Sequence, residues 1–226
     1  MSFLSRFLSY KKICIQCHNN PDADSLASAF GLYRFFCSKG VDSEIVFGGE
    51  QVLKKSNTKM LIRECGIPIS HNCSPEGYDL LFMVDCQYGQ GNENENFLIK
   101  SEYQSCATII YELLLEENYP VKEDEALAVA FLYGLYTDTS SFADLFYSAD
   151  IAMRGDLFEN QSLFEQLTKS NMSLAELLVA SDAMYNHYFD SERRFSIVEA
   201  LKCDQTVLGM IGDFMIQVDS ICLSFV

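Results

Sequence analysis

His18-Asn19-Asn20-Pro21-Asp22-Ala23-Asp24-Ser25 places one imidazole and two carboxylates within seven residues, directly after the apolar run Lys12-Ile13-Cys14-Ile15-Gln16-Cys17. The run reads as a buried strand. The segment that follows, Ser25-Leu26-Ala27-Ser28-Ala29-Phe30-Gly31-Leu32-Tyr33-Arg34-Phe35-Phe36, carries helical periodicity, so the charged residues fall on a strand-to-helix turn. Such a turn exposes the first helical N–H groups, where anions bind. Side chains that could ligate a metal therefore lie beside a place for a phosphate.

Working outward, alternating elements follow. Strands are expected at 12–17, 44–47, 80–85 and near Ile67, and helices at 25–38, 58–65, 104–117 and 124–136. That order predicts an α/β fold with a parallel sheet flanked by helices. Beyond Asp144 the pattern turns helical over 156–168 and 173–187. Residues 194–201 and 206–212 then read as strand or mixed segments, opening a second, smaller α/β domain. The expected organisation is a metal-binding α/β domain over 1–145, a helical connector over 146–192, and the beginning of a substrate-binding domain, entered but not completed, over 193–226. Polar Asn92-Glu93-Asn94-Glu95-Asn96 marks a loop.

Two further carboxylates occupy matching positions. Asp85 ends the strand Tyr78-Asp79-Leu80-Leu81-Phe82-Met83-Val84-Asp85, and ligands collect at the carboxyl ends of parallel strands. Asp138 follows a helix that is apolar almost all round, where an uncompensated carboxylate costs several kcal/mol. Each residue also has a plain structural reading. Asp22 or Ser25 could be a helix N-cap, His18 a hydrogen-bonded turn histidine, Asp85 a polar strand end, and Asp138 a cap or turn residue. Taken together, four carboxylates and a histidine at the ends of apolar elements suit a hard divalent cation such as Mn²⁺ or Mg²⁺.

With 226 residues and 49% hydrophobic side chains the chain can build a real core. The net charge of −16 argues against a broad grip on duplex nucleic acid, so a phosphate substrate would need bound cations. Nine cysteines with no recognisable signal segment imply a reducing, cytoplasmic setting. No apolar run reaches the roughly 18 residues of a membrane span, so no membrane partner is expected. Cys14 and Cys17 match a metal-knuckle spacing but read as quiet strand thiols, and His71 and His187 as surface or structural residues. The oligomeric state is not legible.

The first motif, His18 to Ser25 with Leu26-Ala27-Ser28, resembles that of the DHH phosphoesterase superfamily. Val84-Asp85 resembles its second motif, Thr137-Asp138-Thr139 with Ser140-Ser141-Phe142 its fourth, and Ser105-Cys106-Ala107-Thr108 the small-residue segment after the third. The resemblance spans residues 12–145. It implies two Mn²⁺ ions, with Mg²⁺ an alternative. His18, Asp22 and Asp85 would hold the first ion, and Asp24, Asp85 and Asp138 the second, with Asp85 bridging. The implied activity is hydrolysis of phosphodiester or phosphomonoester bonds in short oligonucleotides or nucleotide phosphates, as in nano-RNases that also act on adenosine bisphosphate. Inorganic pyrophosphatase or exopolyphosphatase chemistry, or a silent binding module lacking the second metal, are the alternatives. One departure matters: the Asp-His-His of the third motif should lie between Asp85 and Ser105, and no histidine occurs there.

Overall fold

The computed structural model describes residues 2–49, 53, 56–72, 74, 76–86, 102–157, 161–169, 172–203 and 205–226. The chain packs as two compact units, one formed by 1–53 with 57–169 and the other by 54–56 with 170–226.

In the first unit, β1 (Lys12–Cys17) is followed by α1 (Ala23–Ser38), β2 (Asp42–Phe47), α2 (Ser56–Cys65), β3 (Ile69–His71) and β4 (Leu80–Met83). The four strands form a parallel sheet in the order β3-β2-β1-β4. Ile13, Cys14, Ile15 and Cys17 of β1 are all buried, which explains a continuous apolar run rather than an alternating one. From β1 the chain steps outward to β2 and β3, then returns to place β4 on the other side of β1. The strand order therefore reverses between β1 and β4, and the carboxyl ends of those two strands flank the crevice of a topological switch point. His18 follows one and Asp85 the other.

The helical layer consists of α3 (Cys106–Glu116), α4 (Glu125–Asp138), α5 (Ser148–Leu157) and α6 (Gln161–Thr168). Asp124 caps α4 by accepting from Leu127 N, and residues 127–135 of that helix are all buried. Close approach of α1 to α4 requires two glycines. A Cβ on Gly31 would lie 2.5 Å from Phe131, and one on Gly134 only 3.1 Å from the Cα of Asp24. Met153, Leu157, Phe164 and Leu167 of α5 and α6 join this same core.

The second unit holds α7 (Leu174–Tyr185), β5 (Tyr188–Asp190), β6 (Phe195–Ile197), α8 (Gln205–Ile216) and β7 (Leu223–Phe225). Ser173 and Glu176 form a capping box at the start of α7. The sheet runs β5-β6-β7, with an antiparallel hairpin followed by a parallel crossover through α8. Here one expectation is corrected. Residues 206–212, read as strand or mixed, lie in α8, because Val207, Ile211 and Met215 recur every four residues and bury against Ala180, Ala183, Val198 and Ile221. Gly209 and Gly212 mask that period in a short window.

Among the described residues no helix is long and apolar enough to cross a membrane. Cys14 and Cys17 are buried free thiols, and burial pushes the Cys14 thiol up to about 11. The polar loop at 92–96 lies outside the described residues.

Candidate metal centre

Pro21 cannot donate an amide hydrogen bond, and the chain turns there into α1 with Asp22 in an extended conformation at the N-cap. The Asp22 Oδ1 accepts from Ser25 N at 3.0 Å. Its other oxygen faces the imidazole, with Oδ2 3.4 Å from His18 Nε2. The capping and the ligating readings of Asp22 thus fall on different oxygens of one carboxylate. Ser25 is not the cap: its N–H serves Asp22, and its hydroxyl donates back to the Asp22 carbonyl.

Asp85 arrives from the neighbouring strand. Its backbone is left-handed, with φ +51°, a conformation uncommon outside Gly, Asn and Asp. It sets Oδ2 3.6 Å from the same His18 Nε2. One ligand atom from each of His18, Asp22 and Asp85 falls within 4.8 Å of the others, and all three residues are half-buried. Burial first, then the charge of Asp22, raises the Asp85 carboxyl, while His18 lowers it.

Behind this trio lies Asp24, in the first turn of α1 and only 1% exposed. Its Oδ1 accepts from Ser105 Oγ at 2.6 Å and Ala107 N at 2.8 Å, and its Oδ2 from Cys106 N at 2.7 Å. Asp24 therefore closes the N-terminus of α3, a helix to which it does not belong. A second buried carboxylate, Asp150, accepts from Gln104 N and Thr108 Oγ1 on the same turn. Burial, followed by the charge of Asp85, pushes the Asp24 carboxyl up to about 7 despite these donors.

Asp138 is the last residue of α4. A carboxylate there opposes the helix dipole, whose negative end is the C-terminus. The residue as a whole is exposed, yet its carboxyl hydrogen-bonds to that of Asp24. Burial of the carboxyl among its neighbours and the charges of Asp24, Asp22 and Asp85 raise it. Immediately beyond, Ser140, Ser141 and Phe142 all have positive φ, at 48°, 61° and 68°. The left-handed turn costs roughly 1–2 kcal/mol per residue. It delivers Phe142 onto Tyr136 and Phe164, with Arg154 over its ring.

All five residues singled out in the sequence thus lie at this crevice, as the trio His18, Asp22 and Asp85 and the pair Asp24 and Asp138. The contacts of three others are not legible in the sequence. Ser105 and Asp150 act through α3 packing, which no local pattern records. His71 ends β3 on the same carboxyl edge, its Nε2 3.0 Å from the Gly49 carbonyl and its ring edge-on to Phe47. The position between Asp85 and Ser105 where the third motif belongs falls largely outside the described residues.

The first unit is an α/β fold, a four-stranded parallel sheet with helices and with acids gathered at its switch point. Residues 12–100 match the family described as DHH family, N-terminal domain. An exopolyphosphatase-related protein from Bacteroides fragilis superposes with a TM-score of 0.62 at 14% identity, covering 97% of this chain and 77% of that one. RecJ from Thermus thermophilus, solved in complex with Mn²⁺, gives a TM-score of 0.39 at 11% identity, covering 97% and 44%. An uncharacterized protein of Methanocaldococcus jannaschii, MJ1633, is 22% identical over 237 residues, covering 95% of this chain and 49% of that protein. The chain thus spans about half the length of that curated relative.

Proposed function

We propose that this protein is a divalent-cation-dependent phosphoesterase acting on short oligonucleotides or nucleotide phosphates. The observation that carries the reading is the convergence of His18, Asp22 and Asp85 at the switch point of the sheet. Their donor chemistry fits a hard cation. The separations of 3.4 and 3.6 Å exceed ordinary hydrogen bonds, whereas ligands about 2.1 Å from one octahedral cation sit about 3 Å apart. His18, Asp22 and Asp85 would hold one ion, and Asp24, Asp85 and Asp138 the second. Mn²⁺ or Mg²⁺ bound there would polarise a phosphoryl oxygen and lower the pKa of an attacking water.

The chain's own residues supply the rest. Asp22 and Asp24, two residues apart on one helical turn, address different halves of the site. Asp85 joins the halves from the adjacent strand. The strongly acidic chain favours a small substrate over a long duplex. We read residues 193–226 as the beginning of the domain that grips the substrate, and the compartment as cytoplasmic.

The absence of any histidine between His71 and His187 favours one other reading. A second centre built only from Asp24, Asp85 and Asp138 would bind its ion weakly and leave a silent binding module. The deciding experiment offers a 5′-phosphorylated diribonucleotide, adenosine 3′,5′-bisphosphate and pyrophosphate to the protein with Mn²⁺ or with chelator. Mn²⁺-dependent release from either nucleotide, abolished in Asp22→Ala, is the expected result. Pyrophosphate turnover alone would move the assignment to a pyrophosphatase. No turnover of any of the three would leave the binding module.

A further inference from the structure

Ser105 occupies the N-cap position of α3 in extended backbone, with φ −126° and ψ 136°, yet its side chain makes no capping hydrogen bond to its own helix. An N-cap serine ordinarily accepts from an amide of the first turn, a contact worth about 0.5–2 kcal/mol. Here the roles are exchanged. The hydroxyl donates to Asp24, and Asp24 accepts the first-turn amides of Cys106 and Ala107 in its place. Ser105 is 2% exposed and Asp24 1%.

The count of lone pairs gives this exchange a direction. An ionised carboxylate offers about four acceptor positions, two on each oxygen. Oδ1 takes two donors, Ser105 Oγ and Ala107 N, and is filled. Oδ2 takes Cys106 N, and the carboxyl of Asp138 hydrogen-bonds to Asp24 as well. On the far side Gly134 allows α4 to lie against Asp24, where a Cβ would come within 3.3 Å of Oδ1. The carboxylate is gripped from the N-terminus of α3, and it meets Asp138 at the end of α4.

We propose that Ser105 is a positioning residue for Asp24, fixing the orientation in which the carboxylate meets Asp138 and a cation that the two would share. The inference rests on the cation-site reading above. It assigns Ser105 to orienting a ligand rather than to touching substrate or stabilising α3 alone. Hydrogen-bonded partners of a metal ligand of this kind typically change affinity by about 10–100-fold when removed.

The test is a Mn²⁺ titration of the full chain, read by the electron paramagnetic resonance of free ion, with hydrolysis measured separately. Ser105→Ala removes the hydroxyl and keeps both amides. It should loosen the weaker Mn²⁺ site about 10–100-fold and leave the tighter one unchanged, whereas Ser105→Thr, which restores the hydroxyl, should keep both. Ser105→Gly is the second variant, since glycine is well accepted at an N-cap, and should match Ser105→Ala. Two sites with wild-type affinities in both Ser105→Ala and Ser105→Gly would overturn the proposal, as would equal loosening of both sites. A wild-type protein that binds one ion, unchanged in the variants, would show that Asp24 serves only as a cap. A wild-type protein that binds none would instead overturn the cation-site reading itself.

Discussion

The two halves of the candidate site are built differently. His18, Asp22 and Asp85 are half-buried residues whose ligand atoms converge, with His18 Nε2 3.4 and 3.6 Å from the two carboxylates. Asp24 is buried, clamped by three donors within 2.8 Å, and paired with Asp138 at the end of a core helix. One half is set by two adjacent strand ends. The other is set by the packing of three helices. Changes to strand-end residues should therefore act on ligation without disturbing the fold, whereas changes around Asp24 should move stability and ligation together.

Asp85→Asn is the severest test of the first half. Asparagine tolerates the left-handed backbone at this position, so the fold should survive, but the side chain loses the charge that both halves share. Turnover should fall by about 10³-fold, equivalent to about 4 kcal/mol, with the melting temperature unchanged or raised. A variant retaining a tenth of wild-type activity would show that Asp85 does not join the halves.

Gly134→Ala tests the second half. The added methyl would meet the Cα of Asp24 at 3.1 Å and the Cβ of Ala27 at 3.2 Å, and backbone cannot step aside as a side-chain tip can. A loss of about 1–3 kcal/mol is expected from overpacking, together with weakened binding of the second Mn²⁺ and an intact first site. Gly31→Ala, which strikes Phe131 in the core, should destabilise comparably and leave both sites alone. Matching denaturant midpoints with equal Mn²⁺ affinities in the two variants would remove the distinction.

The pH dependence should distinguish the halves without mutation. Asp24 is pushed up from 3.8 to about 7 by burial and by the charge of Asp85. Between those values the native state keeps a proton that the unfolded chain releases, so stability of chelated protein should fall as pH rises from about 4 to about 7. Saturating Mn²⁺ should cancel the slope by supplying the missing positive charge. Thermal melts at pH 5 and pH 8 with and without Mn²⁺ read this directly. A melting temperature that rises toward pH 8 in chelator would mean that Asp24 is compensated in some other way.

The smallest effect is expected just outside the pair. Ser141 has φ +61°, and Ser141→Gly should relieve about 1 kcal/mol of left-handed strain without changing Mn²⁺ affinity. Loss of stability on that substitution would mean that the serine side chain, rather than its backbone, holds the turn.

Much of this was legible in the residue order. β1 was readable because a fully buried parallel strand is a continuous apolar run, and Asp22 because Pro21 and the onset of helical periodicity fix the turn. Asp85 followed from the rule that ligands gather at strand ends. What escaped depends on packing between distant segments. Ser105 is legible only as part of a small-residue segment before a helix, and the approach of α1 to α3 turns its hydroxyl onto Asp24 across 81 residues of chain. Asp150 lies in the first turn of α5, yet it closes α3. α8 was misread because its period of four is carried by Val207, Ile211 and Met215 over a span longer than the window in which the glycines dominate.

The most direct test of the account is an anomalous difference map from crystals grown with Mn²⁺. A peak bounded by His18 Nε2, Asp22 Oδ2 and Asp85 Oδ2 is expected, with a second, weaker peak between Asp24 and Asp138. Saturating Mn²⁺ with no peak at the trio would contradict it.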